Sequence, residues 1–303
     1  MTRVTNDCRA RLIGPAAKGT LVRRLRFMCL ALVTLSLARP AGAQQRPLAT
    51  EDPEPIGAGR VLIEGGIDYA HDQHYPVSGL DGNLWRLPIL GVSVGISSIA
   101  ELQIDGGPFD RLSITNRKSA ALSNLLTVTG DQTHDVDDIL IGMKIRLRPE
   151  TANQPALGFR FATKLPNARN ETGLGLDTTD FFASLLAAKT VESIRVVGNI
   201  GLGILGDPTD GERQNDDLTY GVSFARAMTQ QTELVGELNG RVSTRSGAPL
   251  PGTETRGLLK LGGRYTRGAI RFDAGVFVGL TSADPTVGFT TGFTYIFNAF
   301  TLP

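Results

Sequence analysis

The feature that most constrains this chain is a two-residue rhythm. From Arg60 almost to the C-terminus, segments of about ten residues carry an apolar side chain at every second position, with polar, charged or glycine residues between. Successive side chains of a strand point to opposite faces, so each segment has one apolar and one polar face. In the cleanest, Ile139, Ile141, Met143, Ile145 and Leu147 oppose Asp138, Lys144, Arg146 and Arg148. Val61, Ile63, Ile67 and Tyr69 likewise oppose Arg60, Glu64 and Asp68, and Ile270, Phe272, Val276 and Val278 oppose Arg271 and Asp273. The pattern predicts twelve strands and no sustained helix, with the register left open over 84–95 and 179–189.

The connections alternate too. Long polar stretches (71–83, 109–136, 166–178, 206–216, 244–252) exchange with short ones (96–98, 149–154, 190–193, 228–230, 266–268). Long loops at one end, tight turns at the other and an even number of antiparallel strands describe an up-and-down transmembrane β-barrel of the bacterial outer membrane. Such a barrel satisfies every backbone N–H and C=O within hydrocarbon, where a charge near the midplane costs roughly 2–4 kcal/mol. The apolar faces carry no charge except Arg226, which lies beside a tight turn where a long side chain can snorkel. Trp85, Phe181 and Tyr220 fall near long-loop ends and Tyr265, Tyr295 and Phe297 near short-turn ends, as aromatic girdles should.

The chain's net charge of +1 averages two unlike parts. Residues 1–43 hold eight Lys and Arg against the single acid Asp7, leaving 23 basic and 29 acidic residues, or −6, in the remainder. Arg23-Arg24-Leu25-Arg26, an apolar run from Phe27 to Ala38, and Ala41-Gly42-Ala43 read as a signal peptide over 1–43. Both cysteines, Cys8 and Cys29, fall within it, which suits export through the periplasm. Residues 44–59 are then a short periplasmic segment, too brief for a plug domain, and 60–303 the barrel. The aromatic last strand, 288–297, resembles the signal read by barrel-assembly machinery. Outer-membrane lipid and lipopolysaccharide are the other expected partners.

Residues 47–59 (Pro-Leu-Ala-Thr-Glu-Asp-Pro-Glu-Pro-Ile-Gly-Ala-Gly), Arg86-Leu87-Pro88, and Lys164-Leu165-Pro166 followed by Gly173-Leu174-Gly175 resemble the MetA-pathway of phenol degradation family. That resemblance implies an outer-membrane barrel of transporter type, with hydrophobic or aromatic compounds as solutes. It implies no catalytic residue set.

Chemical motifs offer little. Gly201-Leu202-Gly203-Ile204-Leu205-Gly206 matches G-x-G-x-x-G but lies within a strand, with no helix to receive a phosphate. His71, His74 and His134 are expected on long loops, outside every strand. The acidic groups Asp131, Asp135, Asp137, Asp138 and Asp207, Asp210, Asp216, Asp217 are expected to be solvated loops rather than calcium sites. No cofactor, metal, catalytic set or nucleic acid is expected, and no enzyme activity.

Function should therefore lie in the lumen. The candidate lining residues are Glu64, Asp68, Glu101, Asp105, Lys144, Arg146, Arg160, Lys164, Arg195, Glu237, Arg256, Lys260, Arg264, Arg271 and Asp273. Projected hairpins place Glu237 near Lys260, Lys260 near Asp273, and Lys144, Arg146 and Arg160 in a cationic patch beside Glu101 and Asp105. Such charges either rigidify the barrel as ion pairs or form a constriction that selects solutes. The leading reading is a channel or transporter for small solutes. A plugged structural or surface-binding barrel is the alternative, with the 109–136 loop, including 120–128, folded inward. A lipid-hydrolysing barrel enzyme working through His71 or His134 ranks third.

Overall fold

The computed structural model describes residues 46–301, so the expected signal peptide lies outside the described residues. Fourteen strands form one antiparallel sheet. In chain order they are β1 (Arg60–Tyr75), β2 (Leu80–Gly95), β3 (Ala100–Gly106), β4 (Asp110–Arg117), β5 (Gln132–Asp135), β6 (Ile139–Arg148), β7 (Ala156–Leu165), β8 (Asp180–Val191), β9 (Ile194–Gly206), β10 (Gln214–Ala227), β11 (Thr232–Ser243), β12 (Arg256–Arg267), β13 (Ile270–Gly279) and β14 (Val287–Asn298). Twelve of them, all but β4 and β5, close into a barrel, because β1 pairs with both β2 and β14.

Burial runs inside out. Leu261 and Val276 on the outer face are 52% and 57% exposed, whereas Lys144 and Glu101 inside are at 0%. No soluble fold places its aliphatic side chains outward and its charges in the middle, because each apolar area left in water forfeits roughly 25 cal/mol per Å². A closed sheet with that outer face is a transmembrane barrel. Tyr69, Trp85 and Phe289 cluster on the outer face toward the long-loop end, with ring centroids 4.8–5.8 Å apart. Tyr295 and Phe297 stack at 5.3 Å near the tight-turn end.

Two expected loops are largely strand. Residues 71–83 prolong the β1–β2 hairpin to a turn at 76–79, with Gln73, His74 and Tyr75 facing Gly82, Asp81 and Leu80. The 109–136 stretch contains β4 and β5, which extend the β3–β6 hairpin past a break at 107–109 and 136–138. Asp105 faces Leu140 before the break and Asp110 faces Asp135 after it, an equal advance on each strand, so the register is kept. Polar composition hid these extensions: beyond the hydrocarbon a strand needs no apolar face. The ambiguous 84–95 register also has a physical cause. Pro88 has no N–H for the ladder, and β2 carries one more residue than β1 between Gly66 and Asp68, a bulge that switches facing. The 179–189 stretch is β8, in register with β7 from Lys164 opposite Asp180 to Ala156 opposite Ala188.

On the long-loop side an apolar cluster sits inside the barrel mouth. Ala70, Leu80, Leu84, Leu112 and Phe277 are buried there, with Tyr75, Ile114, Leu126, Leu174 and Leu258 packed on them. Leu126 and Leu174 come from different loops, joined where the Thr127 amide donates to the Glu171 carbonyl at 3.0 Å. Of 120–128, which the plugged alternative folds inward, Leu126 packs on this cluster while Ala121, Asn124, Leu125 and Thr127 are exposed.

Candidate functional site: the lumen and its collar

Residues 46–59 were expected to be a periplasmic segment outside the barrel. They lie inside it. Arg46 donates to Thr290 Oγ1 at 2.9 Å and stands 3.5 Å from Asp273. Lys260 Nζ donates to the Pro47 carbonyl at 2.7 Å, and the Ala49 amide donates to Glu237 Oε1 at 2.8 Å. Glu51 and Asn199 exchange two hydrogen bonds, amide to Oδ1 at 2.6 Å and Nδ2 to carbonyl at 2.8 Å. Glu51 also meets Arg160 at 3.1 Å and Lys144 at 3.4 Å. Asp52 pairs with Arg195, Glu54 with Arg146 at 2.6 Å, and the Ile56 amide donates to Glu101 Oε2 at 2.6 Å.

The order of these partners, β14 and β13, β12, β11, β9, β7 and β6, then β3, is the order of strands around the barrel. The segment is therefore a collar that follows the inner wall. Three prolines suit it to this path, since Pro47, Pro53 and Pro55 favour an extended backbone and carry no N–H to satisfy. Wall glycines let it come close: a Cβ at Gly158 would lie 2.9 Å from Pro53 Cβ, one at Gly221 2.9 Å from Thr50 Oγ1, and one at Gly262 3.2 Å from Pro47.

The wall candidates all belong to the inward face. Glu101 and Lys144 stand opposite each other and pair at 2.9 Å, fully buried. Lys144, Arg146 and Arg160 do not form a free cationic patch, because Glu51 and Glu54 of the collar lie among them. Arg195 pairs with Asp52 and, at 2.9 Å, with Glu150. Glu237 and Lys260 are register partners 3.8 Å apart. Lys260 does not approach Asp273 across the next hairpin: its partner is Phe277, and Asp273 faces Arg264. The turn is the cause, since Gly268 at φ +65° allows a two-residue connection with Arg267 opposite Ile270. Arg264 and Arg271 share Glu233 at 3.6 and 3.8 Å. Glu64 accepts from Thr294 Oγ1 at 3.1 Å, and Asp105 lies beside Gly91, where a Cβ would stand 2.9 Å from its Oδ1. Lys164 bridges Asp138 at 3.2 Å and Asp180 at 2.8 Å, and Asp68 faces Arg86. Arg256 faces Arg241.

Sequence reasoning missed the collar residues and Arg86, Gln103, Asn199, Glu233 and Arg241. One signal was present: a run of acids at 51, 52 and 54, spaced by prolines, ahead of a barrel whose inward face is rich in cations.

Beyond the collar two cavities of about 560 and 490 Å³ open inside the barrel. Asp138, Lys164, Phe182, Thr219, Asn239 and Gly240 line both, so the two are contiguous. The larger is lined by the apolar Leu174, Leu176, Leu258 and Phe277 and by charges of both signs, among them Arg241, Arg256 and Asp284.

The other motifs have structural partners. The histidines are not on loops: His71 and His74 belong to β1 and His134 to β5. His71 Nδ1 meets Asn83 Oδ1 at 2.8 Å, His74 meets Asp81, and His134 lies 5.8 Å from the Phe109 ring. The acidic loops hold their own backbone. Asp135 accepts from the Arg169 amide at 2.9 Å and the Thr172 hydroxyl at 2.7 Å. Partial burial raises the Asp207 carboxyl, but the Thr209 hydroxyl and amide and the Arg213 guanidinium outweigh it and hold it below the usual carboxylate range. Among the described residues no group of His, Cys, Asp and Glu is arranged to hold a metal ion. The Gly201–Gly206 motif lies within β9.

No family model matches the chain, and no curated protein matches it in sequence, so the family resemblance rests on its short Gly- and Pro-containing motifs. Solved structures match in fold. An outer membrane channel from Pseudomonas putida F1 superposes with a TM-score of 0.58 at 16% identity, covering 81% of this chain and 98% of that one. The NanC porin superposes with a TM-score of 0.50 at 7% identity, covering 78% and 98%. The fold is thus that of bacterial outer-membrane barrels.

Proposed function

We propose that this protein is an outer-membrane channel for small solutes, with the collar as its constriction and the cavity above as its vestibule. The observation that carries this reading is an inner face rich in charge around contiguous cavities, bounded by a segment held through side-chain contacts rather than by the wall's ladder. The collar leaves the sheet's hydrogen bonds intact, so its displacement would not open the barrel. The finer reading, that the solutes are hydrophobic or aromatic, draws support from the motif resemblance and from Leu174, Leu176, Leu258 and Phe277 along the larger cavity. The aromatic pair Tyr295 and Phe297 on the last strand supports recognition by barrel-assembly machinery, and the outer apolar face supports a setting of lipid and lipopolysaccharide.

Planar-bilayer recording of the purified chain tests the proposal. Stepwise single-channel conductance in potassium chloride is expected; insertion without conductance overturns it. The collar and the apolar cap together favour a second reading, a plugged barrel without transport, which predicts that silent outcome. The lipid-hydrolase reading, through His71 or His134, gains no support: both lie on strands, His71 bonded to Asn83 and His134 beside the Phe109 ring.

A further inference from the structure

Nearly every cation that reaches the lumen is matched to an acid. Lys144 has Glu101 and Glu51, Arg160 has Glu51, Lys164 has Asp138 and Asp180, Lys260 has Glu237, and Arg86 has Asp110 at 3.4 Å. Arg256 departs from the rule. It lies on the inward face at the start of β12 and lines the larger cavity, and its guanidinium makes no hydrogen bond or ion pair among the described residues.

Its neighbours supply no acceptor in direct contact with it. The residue directly opposite is Arg241, another guanidinium, held by Asp217 at 3.4 Å and by the Gly252 and Glu254 carbonyls at 2.6 and 3.1 Å. Asp284 lines the same cavity, but its Oδ2 accepts the Gly257 amide at 2.9 Å, the Thr281 amide at 3.1 Å and the Thr281 hydroxyl at 2.7 Å. Glu254 Oε1 accepts the Gly252 amide at 2.9 Å. Both acids are thus used to shape the loops around the mouth. Glu254 and Asp284 attract Arg256 only through space, with no ion pair formed, so its guanidinium has no acceptor in contact. A guanidinium presents a planar fork of N–H donors that matches a carboxylate. The same cavity is lined by Leu174, Leu176, Leu258 and Phe277, which can cover an apolar body but offer it no side-chain polar partner.

We infer that the Arg241–Arg256 corner of the outer cavity binds the carboxylate of a small amphipathic acid, whose apolar part lies against Leu174, Leu176, Leu258 and Phe277. A monoanion fits best, because one guanidinium lacks an acceptor in contact. The inference deepens the channel reading by naming a class of solute, and it rests on solute reaching the cavity.

Calorimetric titration of the full chain in detergent tests it, with hexanoate as the probe, hexanamide as its neutral isostere and acetate as the anion without an apolar body. Hexanoate should bind more tightly than either. Arg256→Gln should weaken hexanoate about tenfold or more, the order expected for one lost charge-assisted contact, and leave hexanamide unchanged. Because Arg256 has no partner to orphan, this variant should keep the heat-modifiable gel mobility of the folded barrel. Equal binding of hexanoate by Arg256→Gln and wild type overturns the inference, as does acetate binding as tightly as hexanoate. Bilayer conductance of the same preparation separates the two readings. A conducting channel that ignores hexanoate sinks this inference alone; Arg256-dependent hexanoate binding without conductance keeps the site and sinks the channel.

Discussion

At the scale of single residues, the lumen shows how a barrel tolerates charge at its centre. Lys144 is fully buried, 2.9 Å from Glu101 and 3.4 Å from Glu51. Removing one partner of a buried pair costs about 3–5 kcal/mol, because the other charge is left without compensation, whereas replacing both by uncharged groups is often neutral. Lys144→Met should therefore lower the urea midpoint of the folded barrel strongly. Glu101→Gln combined with Lys144→Met should recover most of the loss, since Glu51 keeps Arg160 at 3.1 Å. A double variant no more stable than the single would show that these charges are not coupled. Glycine has a distinct use here: at Gly158, Gly221 and Gly262 a side chain on the wall would occupy space that the collar fills.

Among the elements, the collar decides the width of the lumen, and it can be tested as a unit. A Cβ at Gly221 would lie 3.5 Å from Thr50 Cβ, within the range of a disulfide. Thr50→Cys with Gly221→Cys should form that bond under oxidation and tie the collar to β10. Conductance should fall when the pair is oxidised and recover on reduction; identical currents in both states would show that the collar does not gate. How far each element could be read from the sequence follows from what surrounds it. β6 was legible because lipid demands Ile139, Ile141, Met143, Ile145 and Leu147 on one face while the lumen accepts Lys144 and Arg146 on the other. The outer ends of β1 and β2, and β4 and β5, were not, because strands beyond the hydrocarbon need no lipid-facing apolar row, and polar pairs such as His71 with Asn83 and Arg111 with Gln132 read as loop. The collar was invisible to periodicity for a related reason: it makes no ladder, and its partners lie 45–245 residues away in the chain.

For the whole molecule, the distribution of charge sets what the proposed channel can pass. The lumen candidates were found by asking which face lipid forbids, and that logic located their facing but not their partners, which depend on turn lengths and on the collar. Lys260 illustrates both: its opposition to Glu237 followed from a projected hairpin, whereas its hydrogen bond to the Pro47 carbonyl did not. Lys260→Glu reverses one charge at the inner rim of the vestibule, beside Glu237. The reversal potential in a potassium chloride gradient should move toward cation preference; an unchanged potential would assign Lys260 a structural role only. The collar also bears on how such a molecule is made. It is synthesised ahead of every strand it touches, and Arg46 bonds to Thr290 across 244 residues of chain. The collar's full set of partners therefore exists only once the strands from β3 to β14 are all in place, so its seating cannot be complete before the last strand joins.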